Sequence, residues 1–227
     1  MRKKVFLVVN VAILSMAFVQ AQVNFGVRAG LNMSNMKTSV LGLSLDTKMK
    51  PGIQLGVVGE LSLLDIIAIQ PGIIFSQQGF KIDDFLGSKI SATETLNYIQ
   101  VPVNVMYKVN LGVAKLLLQA GPYLGYGLSG KTKAWLDGKK IEGEDFKEMF
   151  GDEKIKFGSG DEDDYKALDF GLGFGAGVQF SSFQVCIGYN AGLMNFAPEI
   201  PTESGIDLKP KAKNNNIALT VTYLFGK

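Results

Sequence analysis

The 227-residue sequence contains no histidine and a single cysteine. Without histidine there is no imidazole metal site and no Ser-His pair of the kind that many hydrolases use. One cysteine cannot form a disulfide within the chain, so we interpret Cys186 as a small interior residue. These absences argue against an enzyme, and the sequence predicts neither catalytic residues nor a cofactor.

Charged side chains are also scarce, at 19% of the chain against the ~25% that is usual in soluble domains. The 23 basic and 21 acidic residues nearly balance. A chain of this kind has no basic surface to attract a phosphate backbone. The sequence therefore predicts no nucleic-acid partner.

Long hydrophobic runs are limited to one, at positions 5–19, which follows three basic residues at 2–4 and ends shortly before Ala21. The run is short for a membrane-spanning helix. A basic start, an apolar middle and small residues at the end are typical of a secretory signal peptide. We predict a signal peptide at 1–21, cleaved after Ala21, and one domain at 22–227.

The chain is rich in glycine, with 27 residues. Many stretches also alternate strictly between apolar residues and polar residues or glycine. The clearest stretch is 168–180, where large apolar residues alternate with glycine or polar residues, and 183–193 repeats the pattern. A period of two is the strand period, and two such runs joined by two small residues predict a hairpin. Because one face carries the bulk and the other carries the charge, the pattern predicts a barrel with lipid outside.

The same alternation recurs in six further stretches, at 23–34, 53–63, 67–78, 98–108, 116–129 and 216–225. Short connections alternate with long ones, which lie at about 35–50, 79–94, 130–167 and 196–213. An open edge would leave unsatisfied backbone groups in hydrocarbon, so the sheet must close. We predict an all-β, eight-stranded antiparallel up-and-down transmembrane β-barrel with short periplasmic turns and long external loops.

Several stretches carry a family resemblance as well. They read FGVRAGLN from Phe25, IQPGIIFSQQG from Ile69, LNYIQVP from Leu96, AGPYLG from Ala120 and DFGLGFGAG from Asp169, with YLF from Tyr223 near the end. These motifs resemble the PorT-like outer-membrane β-barrel family across essentially all of the mature chain. The resemblance implies an eight-stranded barrel in the outer membrane of a Gram-negative cell. One member of that family is implicated in protein secretion.

Four charged residues fall on the face predicted to line the lumen: Arg28, Glu60, Lys108 and Asp169. An eight-stranded barrel is only wide enough for its own side chains, and an isolated buried charge is costly. We therefore predict a lumen charge network, with Arg28 and Glu60 as the preferred pair.

Polar residues and glycines complete the predicted lumen. The polar lining residues are Gln54, Gln70, Tyr98, Gln100, Asn104, Gln119, Tyr123, Gln179 and Asn190. The glycines from Gly171 to Gly177 keep a period of two, which does not fit a phosphate-binding turn before a helix. We interpret them as interior positions that leave room for larger neighbours.

The acidic run at 161–164 offers oxygen ligands for Ca²⁺, but it lacks the spacing of an EF-hand loop. Asp161, Asp163 and Asp164 are therefore weak metal candidates, and a solvated loop is the favoured interpretation. The connection at 130–167 either folds outward or drops into the barrel as a plug.

The predicted function is that of a non-catalytic outer-membrane barrel that acts as an interaction, accessory or structural component. Outer-membrane lipid is the predicted partner, together with proteins that contact the external loops or the periplasmic rim, in secretion or surface binding. A narrow passive pore for small solutes or ions is the alternative. A lipocalin-like periplasmic carrier is the second alternative, and it requires an apolar interior.

Overall fold

A computed structural model describes residues 22–40, 43–45, 47–83, 89–158, 163–195, 197 and 211–226. The predicted signal peptide at 1–21, its cleavage site and Asp161 lie outside these residues. In chain order the elements are β1 (Gln22–Val40), β2 (Leu43–Leu45), β3 (Lys48–Leu64), β4 (Ile67–Ile82), β5 (Ile90–Asn110), β6 (Lys115–Leu136), β7 (Lys139–Ile141), α1 (Gly143–Phe150), β8 (Lys154–Ile155), β9 (Phe157–Gly158), β10 (Tyr165–Lys166), β11 (Leu168–Phe180), β12 (Phe183–Gly192) and β13 (Lys211–Leu224).

Eight long strands close into a ring. Their order around it is β1, β3, β4, β5, β6, β11, β12 and β13, and β13 pairs back with β1. Every pairing in the ring is antiparallel, including the closing one, where Gly26 lies opposite Leu224. No open edge remains between the long strands, so their backbone groups are paired as lipid requires. The predicted eight-stranded antiparallel up-and-down barrel is confirmed.

Along each long strand, side chains alternate between an exposed outer face and a buried inner face. We call the exposed outward apolar side chains the apolar band; its members include Phe25, Leu31, Ile53, Leu55, Ile73, Val105, Leu118, Leu124, Phe174, Ile187 and Leu219. A continuous apolar surface of this extent is typical of contact with lipid. The inner face is mostly polar, with buried residues such as Asn32, Glu60 and Gln70. The lipocalin-like alternative requires the opposite distribution.

The short turns lie together at one end of the barrel, around Asp65, Gly112 and Ser181. Aromatic side chains gather close to this end: Phe183 and Tyr223 stack with ring centroids 4.9 Å apart, and Phe225 lies 5.3 Å from Tyr223. An aromatic girdle of this kind marks a membrane interface, and short turns face the periplasm in bacterial barrels.

The strands extend further at the opposite, external end than the sequence predicts. Strand β1 continues to Val40 and β3 begins at Lys48, so most of the predicted loop at 35–50 is paired sheet. Strands β4 and β5 likewise extend into the predicted loop at 79–94. Beyond the apolar band the outward residues become polar, as at Lys37. For this reason the sequence predicts loops there. The ladder continues because backbone hydrogen bonds do not depend on apolar side chains.

The predicted connection at 130–167 contains regular structure. Strand β6 runs on to Leu136 and pairs with β7 and β8, and α1 follows β7. Phe146 of α1 is buried against Ala134 of β6 and Ile141 of β7, so the helix packs on the hairpin formed by these two strands. In the predicted loop at 196–213, the described residues are 197 and the start of β13. In the part of the chain that is described, no helix is both long and apolar enough to cross a membrane.

Candidate functional site

The barrel interior holds a charge network at its periplasmic side. Lys108 and Glu60 are buried there, and Lys108 Nζ lies 2.6 Å from Glu60 Oε1. The other carboxylate oxygen of Glu60 accepts a hydrogen bond of 2.7 Å from Gln184 Nε2. Gln70 Nε2 donates to Gln184 Oε1 over 3.0 Å, and Gln184 also bonds Gln179 Oε1 at 3.2 Å. These side chains come from five strands, so they connect the wall of the barrel across its lumen.

Arg28 joins this network through Gln70 rather than through Glu60. Its Nε donates to Thr222 Oγ1 over 2.9 Å, and its Nη2 donates to Gln70 Oε1. The predicted direct pair of Arg28 with Glu60 is therefore wrong. The register places Asn24, and not Arg28, beside Glu60, and Lys108 takes the position of the cation.

Asp169 belongs to a separate group nearer the external end. Its Oδ2 accepts hydrogen bonds from Tyr123 Oη at 3.3 Å and from Asn214 Nδ2 at 3.2 Å. Asn214 also lies 3.4 Å from the hydroxyl of Tyr98. Asp169 Oδ1 is buried and has no hydrogen-bond partner within the described residues. Among the described residues, polar neutral groups and no cation hold this carboxyl group.

The glycines of β11 make room for the large interior side chains. A Cβ atom on Gly171 would lie 2.5 Å from the ring of Tyr123 and 2.2 Å from the carbonyl oxygen of Ala191. On Gly175 it would lie 2.8 Å from Gln119 Nε2. All three distances are below van der Waals contact, so the Tyr123 ring and the Gln119 amide occupy the space that these glycines leave empty.

A small cavity of about 50 Å³ remains between the two groups. Arg28 lines it together with most of the predicted lumen residues, namely Gln54, Gln100, Asn104, Gln119, Tyr123 and Asn190. The remaining predicted residues lie outside it: Gln70 and Gln179 in the periplasmic network, and Tyr98 packed with Leu96 and Ile155 at the external end. A cavity of this size holds a few waters at most.

Part of the long connection packs on interior side chains at the external end. Ile155 and Phe157 pack on Leu96 and Tyr98, whose ring centroid lies 5.5 Å from that of Phe157. A Cβ atom on Gly127 would lie 2.4 Å from the Phe157 ring, so Phe157 can pack there only because position 127 is glycine. We call Ile155 and Phe157, which cover these interior side chains, the cap. The sequence predicts either an outward fold or a plug for this connection, and the cap is the part of it that packs on interior side chains.

A larger cavity of about 460 Å³ lies at the external end, beside this cap. Its apolar walls are Ile82, Ile90, Ala92, Met149, Phe150 and Ile155, and its polar residues are Glu94, Thr132, Asp152, Asp164 and Tyr165. Tyr165 Oη donates to Glu94 Oε2 over 2.8 Å. Glu94 lies beyond the apolar band, and burial raises its pKa to about 7; the hydrogen bond from Tyr165 opposes this rise and the Asp164 carboxylate adds to it.

Sequence reasoning missed several residues of these groups. Gln184 and Thr222 lie on the predicted inner face, but nothing in the sequence distinguishes them from other alternating polar residues. Asn214 and Glu94 fall where the sequence predicts loop or loop boundary. Their spacing along the continuing alternation of β13 and β5 is the signal that identifies them as inward-facing.

The weak metal candidates have local partners. Asp164 Oδ2 accepts a hydrogen bond of 2.8 Å from the backbone amide of Lys156. Asp163 is next to Gly158, where an added Cβ would touch its carboxylate. Among the described residues, no group of three or more Asp, Glu, Cys or His side chains is placed to hold a metal ion.

Comparison with known proteins supports the outer-membrane class. A family model described as "Outer membrane protein beta-barrel domain" matches residues 18–197, which include seven of the eight barrel strands. No curated protein matches the chain.

Three solved structures illustrate the likeness in fold. The outer membrane protein OprG from Pseudomonas aeruginosa is 10% identical, with a TM-score of 0.49 over 91% of this chain and 98% of that chain. Ail, the attachment invasion locus protein of Yersinia pestis, crystallised with the heparin analogue sucrose octasulfate, is 16% identical, with a TM-score of 0.41 over 90% and 99% of the two chains. Neisserial surface protein A is 12% identical, with a TM-score of 0.42 over 89% and 98%.

Proposed function

The chain belongs to the outer membrane protein beta-barrel domain family, and from this premise we propose that it is a non-catalytic interaction component of the cell surface rather than a pore. The packed lumen carries the proposal. The Glu60–Lys108 network and the Asp169 group leave a cavity of only about 50 Å³ between them. A solute path would have to break these buried hydrogen bonds, whereas the external end is accessible.

The external end has the features of a recognition surface. The cap and α1 stand on paired extensions of the barrel strands, so they are held by a rigid scaffold. Beside the 460 Å³ cavity, a wider cleft of about 1050 Å³ lies between the cap and β6. Both volumes exceed that of the lumen cavity, which supports binding from outside as the activity of this protein.

Conductance in a planar lipid bilayer tests this proposal. The mature chain is refolded, its folding is verified by heat-modifiable gel mobility, and single-channel current is recorded. We expect a folded barrel without unitary steps, because the interior side chains fill the lumen. Steady steps from the wild-type barrel would overturn the interaction role and support the alternative of a narrow pore.

The sequence motifs and the amino-terminal segment bear on the subfamily of the chain and on its export. The motifs from Phe25, Ile69 and Asp169 support membership of the PorT-like group and a role linked to secretion. The basic and apolar pattern at 1–21 supports a cleaved signal peptide. Amino-terminal sequencing of the protein from outer membranes should begin at Gln22, and a first residue within 1–21 would contradict the proposed site.

A further inference from the structure

The external cavity combines apolar walls with acidic groups. Glu94, Asp152 and Asp164 contribute carboxyl groups to its lining, and no Lys or Arg side chain lines it among the described residues. The walls come from β4, β5, the end of α1 and β8, through Ile82, Ile90, Phe150 and Ile155 among others. A concave, mostly apolar space with convergent polar groups is the usual form of a small-molecule site.

The position of Glu94 favours a ligand with a positive charge. Its carboxyl group lies inside the cavity, and the Tyr165 hydroxyl donates to its Oε2 over 2.8 Å. A carboxylate that is shielded from water is strongly stabilised when a cation pairs with it. Among the described residues, an anionic ligand would meet three carboxyl groups and no basic side chain, and a bare metal ion would find no cluster of close ligands.

We propose that this cavity binds a small organic amine, in which one ammonium group pairs with Glu94 and an aliphatic or aromatic body packs on Ile82, Ile90 and Phe150. The volume of about 460 Å³ lies in the range of small-ligand sites. This inference rests on the proposed function, because it names the ligand class that the external surface recognises. Asp152 and Asp164 attract the ammonium group towards the cavity.

Binding of the amine depends on pH through Glu94. The groups that face it are Tyr165 and Asp164 on the segment around β10, Asp152 beyond α1, Tyr98 on its own strand β5, and the neutral Thr132 on β6. The carboxyl group loses its proton as the pH rises through about 7. The ammonium group stays charged over this range, so we expect affinity to rise about tenfold between pH 6 and pH 8.

Calorimetric titration of the mature barrel in lipid nanodiscs tests the inference, with 2-phenylethylamine as the probe and 3-phenylpropanoate as the matched anion. We expect saturable binding of the amine and none of the anion. Glu94→Gln should weaken amine binding at least tenfold and remove its pH dependence. Glu144→Gln, which removes an exposed carboxylate from the same external region, should leave binding unchanged.

A second variant covers the case in which Glu94→Gln does not fold. Ala92→Phe fills the cavity from its wall without removing a charge, and it should abolish amine binding in a barrel that still shows heat-modifiable mobility. Equal binding of amine and anion, unchanged affinity in both variants, or no binding of the amine at millimolar concentration would each overturn the inference. A barrel that is electrically silent and binds no amine keeps the interaction role and loses only this ligand class.

Discussion

Single buried charges decide much of the stability of the barrel. The side chains of Lys108 and Glu60 are 4% and 0% exposed. Removing one member of such a pair leaves the other charge buried without compensation, which costs about 3–5 kcal/mol. An exposed pair contributes about 0–1 kcal/mol because water already solvates both groups. The contribution of a charged side chain to the stability of this protein therefore depends on whether it lies on the inner or the outer face of its strand.

Lys108→Met should lower the free energy of unfolding by about 3–5 kcal/mol. Urea titration of the refolded barrel in lipid vesicles, followed by gel mobility, measures this change. Lys48→Met provides the control, since Lys48 pairs with Asp83 at the surface with 69% and 41% exposure. The double variant Glu60→Gln/Lys108→Met should recover most of the loss, and a loss that is equal in Lys108→Met and Lys48→Met would contradict the account.

Glu94 links stability to pH. Burial raises its pKa from 4.5 to about 7, so the folded barrel holds this proton more tightly than the unfolded chain does. Both states are protonated below pH 4.5, and only the unfolded state ionises readily between the two values. Stability therefore falls as the pH rises from about 4.5 to 7 and then levels off.

Urea midpoints across this pH range measure the effect. Glu94→Gln should flatten the fall, whereas Glu144→Gln should retain it. The chain has no histidine, which removes the usual source of titration in this range. Identical slopes for wild type and Glu94→Gln would refute the assignment.

Strand β11 shows how one element fits the interior to its neighbours. Its inner face is made largely of glycine, and it pairs with β6 and β12. Tyr123 from β6 fills the space over Gly171. Large and small inward residues therefore alternate between adjacent strands, as close packing of a narrow barrel demands.

Gly171→Ala should destabilise the barrel by about 1–3 kcal/mol, because the added methyl group overlaps the Tyr123 ring and the Ala191 carbonyl oxygen. Gly59→Ala makes the same chemical change on the outer face, where the nearest atom lies 3.9 Å away, on Phe25. Urea midpoints in lipid vesicles should separate the two variants. Equal midpoints would contradict this and show that the Tyr123 ring and the Ala191 backbone both move aside without cost.

At the scale of the whole molecule, the barrel is asymmetric along its axis. Short turns and an aromatic girdle mark one end, and the paired extensions, the cap and α1 stand at the other. The apolar band lies between them. Bacterial outer-membrane barrels place short turns in the periplasm, which puts the proposed amine site outside the cell.

Labelling of single cysteines in whole cells checks this orientation. In a Cys186→Ala background, Lys147→Cys on α1 should react in intact cells with a maleimide on a polymer too large for porins. Val113→Cys, in a short turn where Val113 is 84% exposed, should react only after the outer membrane is permeabilised. The reverse pattern would contradict the orientation.

The strand number, the lipid-facing side and the inward position of Arg28, Glu60, Lys108 and Asp169 follow from the amino-acid sequence alone. Each is a local property, since successive side chains in a strand point to opposite faces. The apolar alternation marks strands only while they cross lipid. For that reason the sequence predicts loop beyond the apolar band, where strands such as β1 continue in paired sheet to Val40.

Which interior groups meet depends instead on the register between strands that are distant in sequence. Arg28 bonds Thr222 from β13, and Glu60 pairs with Lys108 from β5, because the closed ring and its stagger bring these positions to the same level. The cap and the cavity at Glu94 arise in the same way, where a connecting segment returns to the mouth. Alternation carries no information about such distances, since it repeats identically whatever the partner strand is.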